Sequence, residues 1–165
     1  MAVVRMKGMS KTRWLNDEEQ RAWRAWVDLN AKLSARLNRG LQGTGLSLSD
    51  YEILVALTDD DVTDHSLRMY ELGERLQWEK SRVSKQVTRM AARGLVERRD
   101  CADDRRGAFV ELTEEGMAAI KAAAPSHVEL VRTLFFEGLS PDEVAGLARF
   151  SNAVLARLAD ESGQG

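Results

Sequence analysis

The sequence has little of what secreted and membrane proteins need. Its 165 residues include one cysteine, two prolines and two histidines. A single cysteine excludes an internal disulfide and any zinc site built on cysteines, and it suits a reducing compartment. No run of about 18 apolar residues offers a membrane span, and the basic start MAVVRMKGMSKTRW lacks the apolar stretch of a signal peptide. We therefore expect a cytoplasmic protein without membrane association, folded as a single domain over residues 1–165.

Signatures of catalysis are lacking as well. The sequence has no glycine-rich phosphate loop, no Ser–His–Asp order and no pair of carboxylates flanked by apolar residues. His65 and His127 do not stand at ligand spacing from the aspartates of segment 59–64, so no metal site is expected. We predict that the protein is not an enzyme and requires no cofactor.

Charge of both signs is present, but it is sorted along the chain. The net charge of −2 combines an acidic stretch at 46–79 with a basic stretch at 80–113, where nine Lys and Arg stand against five Asp and Glu. Local basic patches attract polyanions even when the whole protein is nearly neutral.

The first part of the chain contains two sequence patterns that predict the start of a helix. Asn16 with Glu19 forms a capping box that opens a long amphipathic helix to about Leu41. Ser49 with Glu52 predicts a second box and a second helix. An apolar content of 44% with two prolines agrees with a mainly helical protein.

The last third of the chain repeats this pattern. Thr113 is placed to cap a helix that Pro125 should kink or interrupt. Ser140, Pro141 and Glu143 then supply a cap, a first helical residue and a closing carboxylate, which predicts the start of the final helix.

Between these helices the predicted order is helix, turn, helix and hairpin. A short helix from about Met69 to Leu76 and a second ending at Gly94 are joined by a turn at 77–80. Two strand-like segments, LVERR and AFVELT, follow, and residues 100–107 connect them. This order predicts a winged helix-turn-helix lobe over residues 46–113.

The second short helix has two unlike faces. Val83, Val87 and Met90 form an apolar face, whereas the opposite face is basic and polar. A helix that enters a major groove needs Lys or Arg for phosphates and guanine, Gln for adenine and Ser for phosphate oxygens. A merely solvated basic helix usually also carries acidic residues, and none lies between residues 80 and 94. We predict that DNA is bound by Ser81, Arg82, Ser84, Lys85, Gln86 and Arg89.

The hairpin tip is dense in charge, with three aspartates and three arginines in residues 99–106. An arginine at a tip can enter a narrow minor groove, whereas an aspartate there is repelled by phosphate and serves better to orient a guanidinium. We predict that Arg106 probes the groove, that Arg105 also binds DNA and that Asp104 braces the wing. The alternative is a surface ion-pair cluster of little energetic worth.

The stretch RMAARGLVERRDCADDRRGAFVELTEEG resembles the MarR family of winged-helix transcription regulators. Its wing pattern D-x-R-x-x-x-V-x-L-T is matched by Asp104, Arg106, Val110, Leu112 and Thr113, and the order of elements matches over residues 16–160. The resemblance implies a mainly α fold with a β-hairpin wing. It also implies a homodimeric repressor on a pseudo-palindromic operator, with helices of 14–45 and 114–160 forming the dimerisation region. Many members release DNA when a small molecule, often a phenolic, binds between the two parts.

Three alternatives stay open at this point. Trp23, Trp26 and Tyr51 could line an effector pocket, although aromatic residues at helical spacing are more often part of a core. The apolar stripes of the last two helices favour a dimer over packing within one chain. The competing functions are a winged-helix module that binds protein instead of DNA, and a small-molecule binding protein without regulatory output.

Overall fold

The computed structural model describes residues 12–100 and 108–162 as a mainly helical chain with one small antiparallel sheet. By its contacts the chain divides into a unit up to Arg36 and a unit from Leu37 onwards. The helices are α1 (Asp17–Leu41), α2 (Leu48–Thr58), α3 (Met69–Leu76), α4 (Lys80–Ala91), α5 (Glu114–Val131) and α6 (Pro141–Ser162), and the strands are β1 (Ser66–Arg68), β2 (Val96–Asp100) and β3 (Ala108–Leu112). The predicted fold class is confirmed.

Three of the predicted helix starts are confirmed by their hydrogen bonds. At the start of α1, the Asn16 side chain accepts from the Glu19 N–H at 2.8 Å, and the Glu19 carboxylate accepts from the Asn16 N–H at 2.7 Å. The Thr113 hydroxyl accepts from an N–H in the first turn of α5. At the start of α6, the N–H and hydroxyl of Ser140 both donate to Glu143.

The predicted cap of α2 is wrong by two residues. Ser47, not Ser49, caps this helix, and Asp50 closes the box by accepting from the Ser47 N–H at 2.8 Å. Aspartate can close a capping box as glutamate does. The sequence therefore contains two overlapping candidates, Ser47 with Asp50 and Ser49 with Glu52. With this earlier start, Asp50 stands in the first turn of α2 and is buried.

Pro125 was predicted to kink or interrupt its helix, and the interruption is wrong, because α5 runs through this residue. Pro125 and Lys121, the residue whose carbonyl loses its helical partner, are both exposed, so water can bond that carbonyl. The irregular segment comes later, where α5 passes into a π-helical turn at Arg132–Phe136.

The sheet has one strand more than the predicted hairpin. Its order is β1-β3-β2, with both pairs antiparallel. In the register, Leu67 of β1 and Arg98 of β2 both stand opposite Val110 of the central strand. A three-residue strand is too short to show alternation, so β1 could not be recognised in the sequence.

The core lies around α2, α3 and α4. Among the described residues, every buried one falls between Leu41 and Ala123. The most deeply buried side chains include Ile53, Leu54, Leu57, Leu72, Val83, Val87, Met90, Val96 and Val110. In the described part of the chain, no helix combines the length and apolar character needed to cross a membrane.

Candidate nucleic-acid interface

The turn between α3 and α4 is tightly built. Gln77 ends α3 in the left-handed region, with φ at 53°, and the Trp78 N–H donates to the Gly73 carbonyl at 2.9 Å. A Cβ at Gly73 would lie 3.3 Å from the Trp78 carbonyl oxygen, so glycine permits this close approach. The two helices form the predicted helix-turn-helix.

The buried face of α4 fixes which side chains point outward. Val83, Val87 and Met90 are at most 1% exposed. At 100° per residue, the side opposite this stripe carries Ser81, Lys85 and Thr88, all exposed. We call these three residues the crest of α4. Thr88 was not among the residues predicted to bind DNA. Its position three residues after Lys85 places it on the same face of the helix, so the spacing could have predicted it.

Beside the crest, a second stripe of α4 runs along α2. Arg82, Gln86 and Arg89 repeat at steps of four and three, which places them on one side of the helix, and Arg93 follows in the turn after α4. Within residues 12–100 and 108–162, no hydrogen bond or ion pair involves the side chain of Lys85 or Arg89. The Cζ of Arg82 lies 3.7 Å from the centre of the Trp78 ring.

Gln86 forms a contact within the protein that the sequence did not indicate. The side chain is half-buried, and its Nε2 donates to Oδ1 of Asp50 at 2.7 Å. Reading adenine needs the amide nitrogen and oxygen of glutamine together. One N–H of this amide is bonded within the protein, and that bond leaves the second N–H and the oxygen available. The DNA-binding role of Gln86 therefore stays a prediction.

Asp50 ties the start of α2 to α4. It is 1% exposed, and besides the bonds from Ser47 and Gln86 it accepts one from an Arg93 nitrogen at 2.8 Å. A second Arg93 nitrogen donates to the carbonyl of Gly45. Burial by itself raises the pKa of the Asp50 carboxyl, but the hydrogen bonds from Arg93 and Ser47 outweigh it and lower the pKa below 3.8. Asp50 is therefore held as a carboxylate, and it fixes the position of α4 relative to α2.

Replacing Asp50 by asparagine should remove a pH-dependent part of the stability. A carboxyl whose pKa is lowered by folding stabilises the protein above its unfolded pKa, about 3.9, and this contribution is lost as pH falls through the folded value. Urea unfolding at fixed protein concentration should show Asp50→Asn less stable than wild type at pH 7, with the gap narrowing below about pH 4. Asp142→Asn, at an exposed position of α6, controls for the lost charge. A gap that stays constant down to pH 3 would contradict this assignment.

The hairpin that forms the wing is described up to its tip. β2 and β3 pair from Val96 opposite Leu112 to Asp100 opposite Ala108, and Arg99 forms an ion pair with Glu111 of the partner strand. Asp104, Arg105 and Arg106 lie outside the described residues. Their predicted roles in bracing the wing and binding DNA stay predictions.

The three aromatic residues predicted for an effector pocket differ in burial. Trp23 and Trp26 of α1 are 50% and 43% exposed and line an open depression of about 350 Å³. Tyr51 is buried, with its ring centre 4.3 Å from that of His127. Burial raises the pKa of Tyr51 and lowers that of His127. This packing favours the core alternative for Tyr51, and the effector role of the set stays a prediction.

A helix-turn-helix whose second helix presents an exposed polar crest centred on Lys85, followed by an antiparallel hairpin, defines the winged helix-turn-helix class. A family model described as MarR family matches residues 44–107. The structure of AbsC, a MarR family transcriptional regulator from Streptomyces coelicolor, is 40% identical with a TM-score of 0.82, and the match covers 90% of this chain and 99% of that one. The chain belongs to the MarR family of transcriptional regulators.

Two other proteins similar to this chain are a regulator solved with DNA and a transcriptional repressor. Sco3205, a MarR family transcriptional regulator from Streptomyces coelicolor solved in complex with DNA, is 36% identical with a TM-score of 0.81, over 87% of this chain and 90% of that one. The transcriptional repressor YetL of Bacillus subtilis is 30% identical over 116 residues, which are 70% of this chain and 68% of that protein.

Proposed function

We propose that this chain is a transcriptional repressor that binds double-stranded DNA as a homodimer, with α4 of each subunit in a major groove. The observation that carries the proposal is the crest of α4. The side opposite the buried stripe presents Ser81, Lys85 and Thr88 to solvent, and no acidic residue lies between 80 and 94. A surface of this composition suits phosphate and base edges.

The side chains proposed to bind DNA differ in whether their chemistry suits phosphates or base edges. Lys85 and Arg89 are free to bind phosphates, and Arg82 presents a planar guanidinium suited to a guanine edge. Ser81 and Ser84, near the start of α4, suit phosphate oxygens. The wing arginines, Arg105 and Arg106, complete the proposed set in a minor groove. No catalytic role is proposed for any of these residues.

The test is a salt titration with DNA. The purified protein selects a duplex from a random-sequence pool (the selected duplex), and fluorescence anisotropy compares it with a scrambled duplex of the same composition. The affinity for the selected duplex should exceed that for the scrambled one, and log K should fall with log salt by about 0.9 for each neutralised phosphate. Weak binding that is equal for both duplexes and insensitive to salt would favour the protein-binding alternative.

The dimer is proposed from an apolar surface that a single chain leaves exposed. No residue of α6 from Pro141 to Asp160 is buried, although the helix carries apolar residues such as Val144 and Leu155. Leu155 is 62% exposed, and Leu134 and Phe136, just before α6, are 47% and 41% exposed. A patch of this kind on a soluble chain marks a protein–protein contact. A second copy as occupant also supplies the two-fold symmetry that half-sites one helical turn apart require.

Leu155→Asp should shift the protein towards monomer and weaken its binding to the selected duplex. A carboxylate in an apolar contact loses solvation without a partner, which destabilises the dimer. Light scattering over a concentration series measures the mass, and anisotropy measures the affinity. Asn152→Asp, at an exposed polar position of the same helix, controls for added charge. A Leu155→Asp variant with the mass and affinity of wild type would show that this part of α6 lies outside the dimer contact.

A further inference from the structure

The turn before α4 places an aromatic ring against one of the proposed DNA-binding arginines. The Cζ of Arg82 lies 3.7 Å from the centre of the Trp78 ring, well inside the roughly 6 Å within which a cation is attracted to a ring face. We propose that Trp78 is a positioning residue, whose indole holds the Arg82 guanidinium in the orientation in which it binds the duplex. This inference rests on the proposed function of Arg82.

Trp78 is a fixed platform and not a mobile surface residue. Its N–H donates to the Gly73 carbonyl at 2.9 Å, and its own carbonyl lies so close to Gly73 that a Cβ there would approach it to 3.3 Å. The side chain is half-buried and packs against the hydrophobic core. These contacts hold the ring against the core in the unbound chain.

Arg82 also interacts electrostatically with a carboxylate. Glu52 of α2 is half-buried, and burial raises its pKa while the nearby charge of Arg82 opposes that rise. The backbone of Arg82 is also fixed, since its N–H donates to the Glu79 carbonyl at 2.9 Å in the first turn of α4. The guanidinium of Arg82 thus stacks on an indole, and the charge of a nearby carboxylate adds an electrostatic attraction.

Stacking leaves the functional part of the guanidinium available. A cation over a ring uses one flat face of the guanidinium, and the N–H donors around its edge stay free to bond phosphate or a guanine edge. A free arginine loses much of its rotamer freedom when it binds, and this loss weakens affinity. If the ring orders Arg82 in the unbound protein, binding no longer carries that cost.

The test is a double-mutant cycle on the selected and scrambled duplexes, with Trp78→Leu, Arg82→Ala and the double variant. Trp78→Leu should weaken binding to the selected duplex by about tenfold, because the Arg82 side chain of each of the two subunits must then lose its rotamer freedom when it binds. Binding to the scrambled duplex should change less. In the Arg82→Ala background, Trp78→Leu should cause no further loss. Trp78→Phe, which keeps a ring, should lie between wild type and Trp78→Leu.

Each outcome has one meaning. If Trp78→Leu weakens binding equally with and without Arg82, the ring acts through the fold in general and the inference is overturned. If Arg82→Ala weakens binding but neither Trp78 variant does, the positioning role alone fails. If Arg82→Ala binds like wild type, the proposed contact of Arg82 with DNA fails, and the inference fails with it. Urea unfolding identifies any variant that does not fold, and Trp78→Phe, the milder change, then decides the cycle.

Discussion

Gly116→Ala should destabilise the protein by about 3 kcal/mol, at the upper end of the usual range for overpacking a closed site. A Cβ at this buried position in the first turn of α5 would lie 2.0 Å from the carbonyl oxygen of Leu95 and 2.7 Å from a methyl carbon of Leu112. Contacts this short cannot be relieved by rotating one side chain, because the nearest atom belongs to the backbone.

The backbone around Leu95 has little freedom to move. The Leu95 N–H donates to the Met90 carbonyl at 3.1 Å, and the Leu95 carbonyl accepts from the Thr113 N–H. The Thr113 hydroxyl donates to the Gly94 carbonyl at 2.7 Å and accepts from the Gly116 N–H at 2.9 Å. Any shift that makes room for a methyl group therefore disturbs the end of α4, the base of the hairpin and the cap of α5 together.

Urea unfolding at fixed protein concentration measures this effect, with the concentration held constant because dimerisation adds to stability. Gly43→Ala is the matched control, since a Cβ there meets nothing within 4 Å and the expected change is within about 0.5 kcal/mol. Equal stabilities for the two variants would show that α5 can move away from Leu95.

Lys85→Glu should weaken binding to the selected duplex by about 100-fold. Lys85 stands at the centre of the crest of α4, with Ser81 and Thr88 one turn away on either side. Reversing its charge removes a favourable phosphate interaction and adds a repulsive one. Losing such a contact costs about 1–3 kcal/mol of binding free energy in each of the two subunits. Because about 1.4 kcal/mol corresponds to a tenfold change in affinity, the two losses together amount to about 100-fold. The salt dependence should also become shallower, because fewer counterions are released.

Lys121→Glu is the control for the change in net charge. Lys121 is an exposed lysine on α5, so the two variants differ from wild type by the same charge at different places. Anisotropy titrations at one salt concentration should show a much smaller loss for Lys121→Glu. If both variants lose affinity equally, the overall field of the protein and not the crest of α4 drives binding.

The sequence allowed good prediction of those features that short stretches of chain determine. The caps at Asn16, Thr113 and Ser140 depend on residues three positions apart, and the two helices of the helix-turn-helix follow from apolar spacing. The family resemblance was carried by a local pattern too. Such features need no knowledge of distant contacts.

The sequence could not show the contacts that form between distant segments. Gln86 lies on the polar side of α4 by its spacing, but it bonds to Asp50, 36 residues earlier in the chain. Asp50 itself was overlooked because Ser49 and Glu52 offered a competing capping box. Burial of an aspartate depends on partners from α4 and the turn after it, and periodicity within one helix cannot show those partners.

The central claim is that the crest of α4 faces the duplex, and site-specific photo-crosslinking tests it most directly. A photoreactive benzophenone amino acid replaces Lys85 in one variant of the full chain and Lys121 in another, and each is irradiated with the labelled selected duplex. We predict crosslinked DNA from position 85, decreasing as salt is raised, and little from position 121. Crosslinking from position 121 with none from position 85 would contradict it.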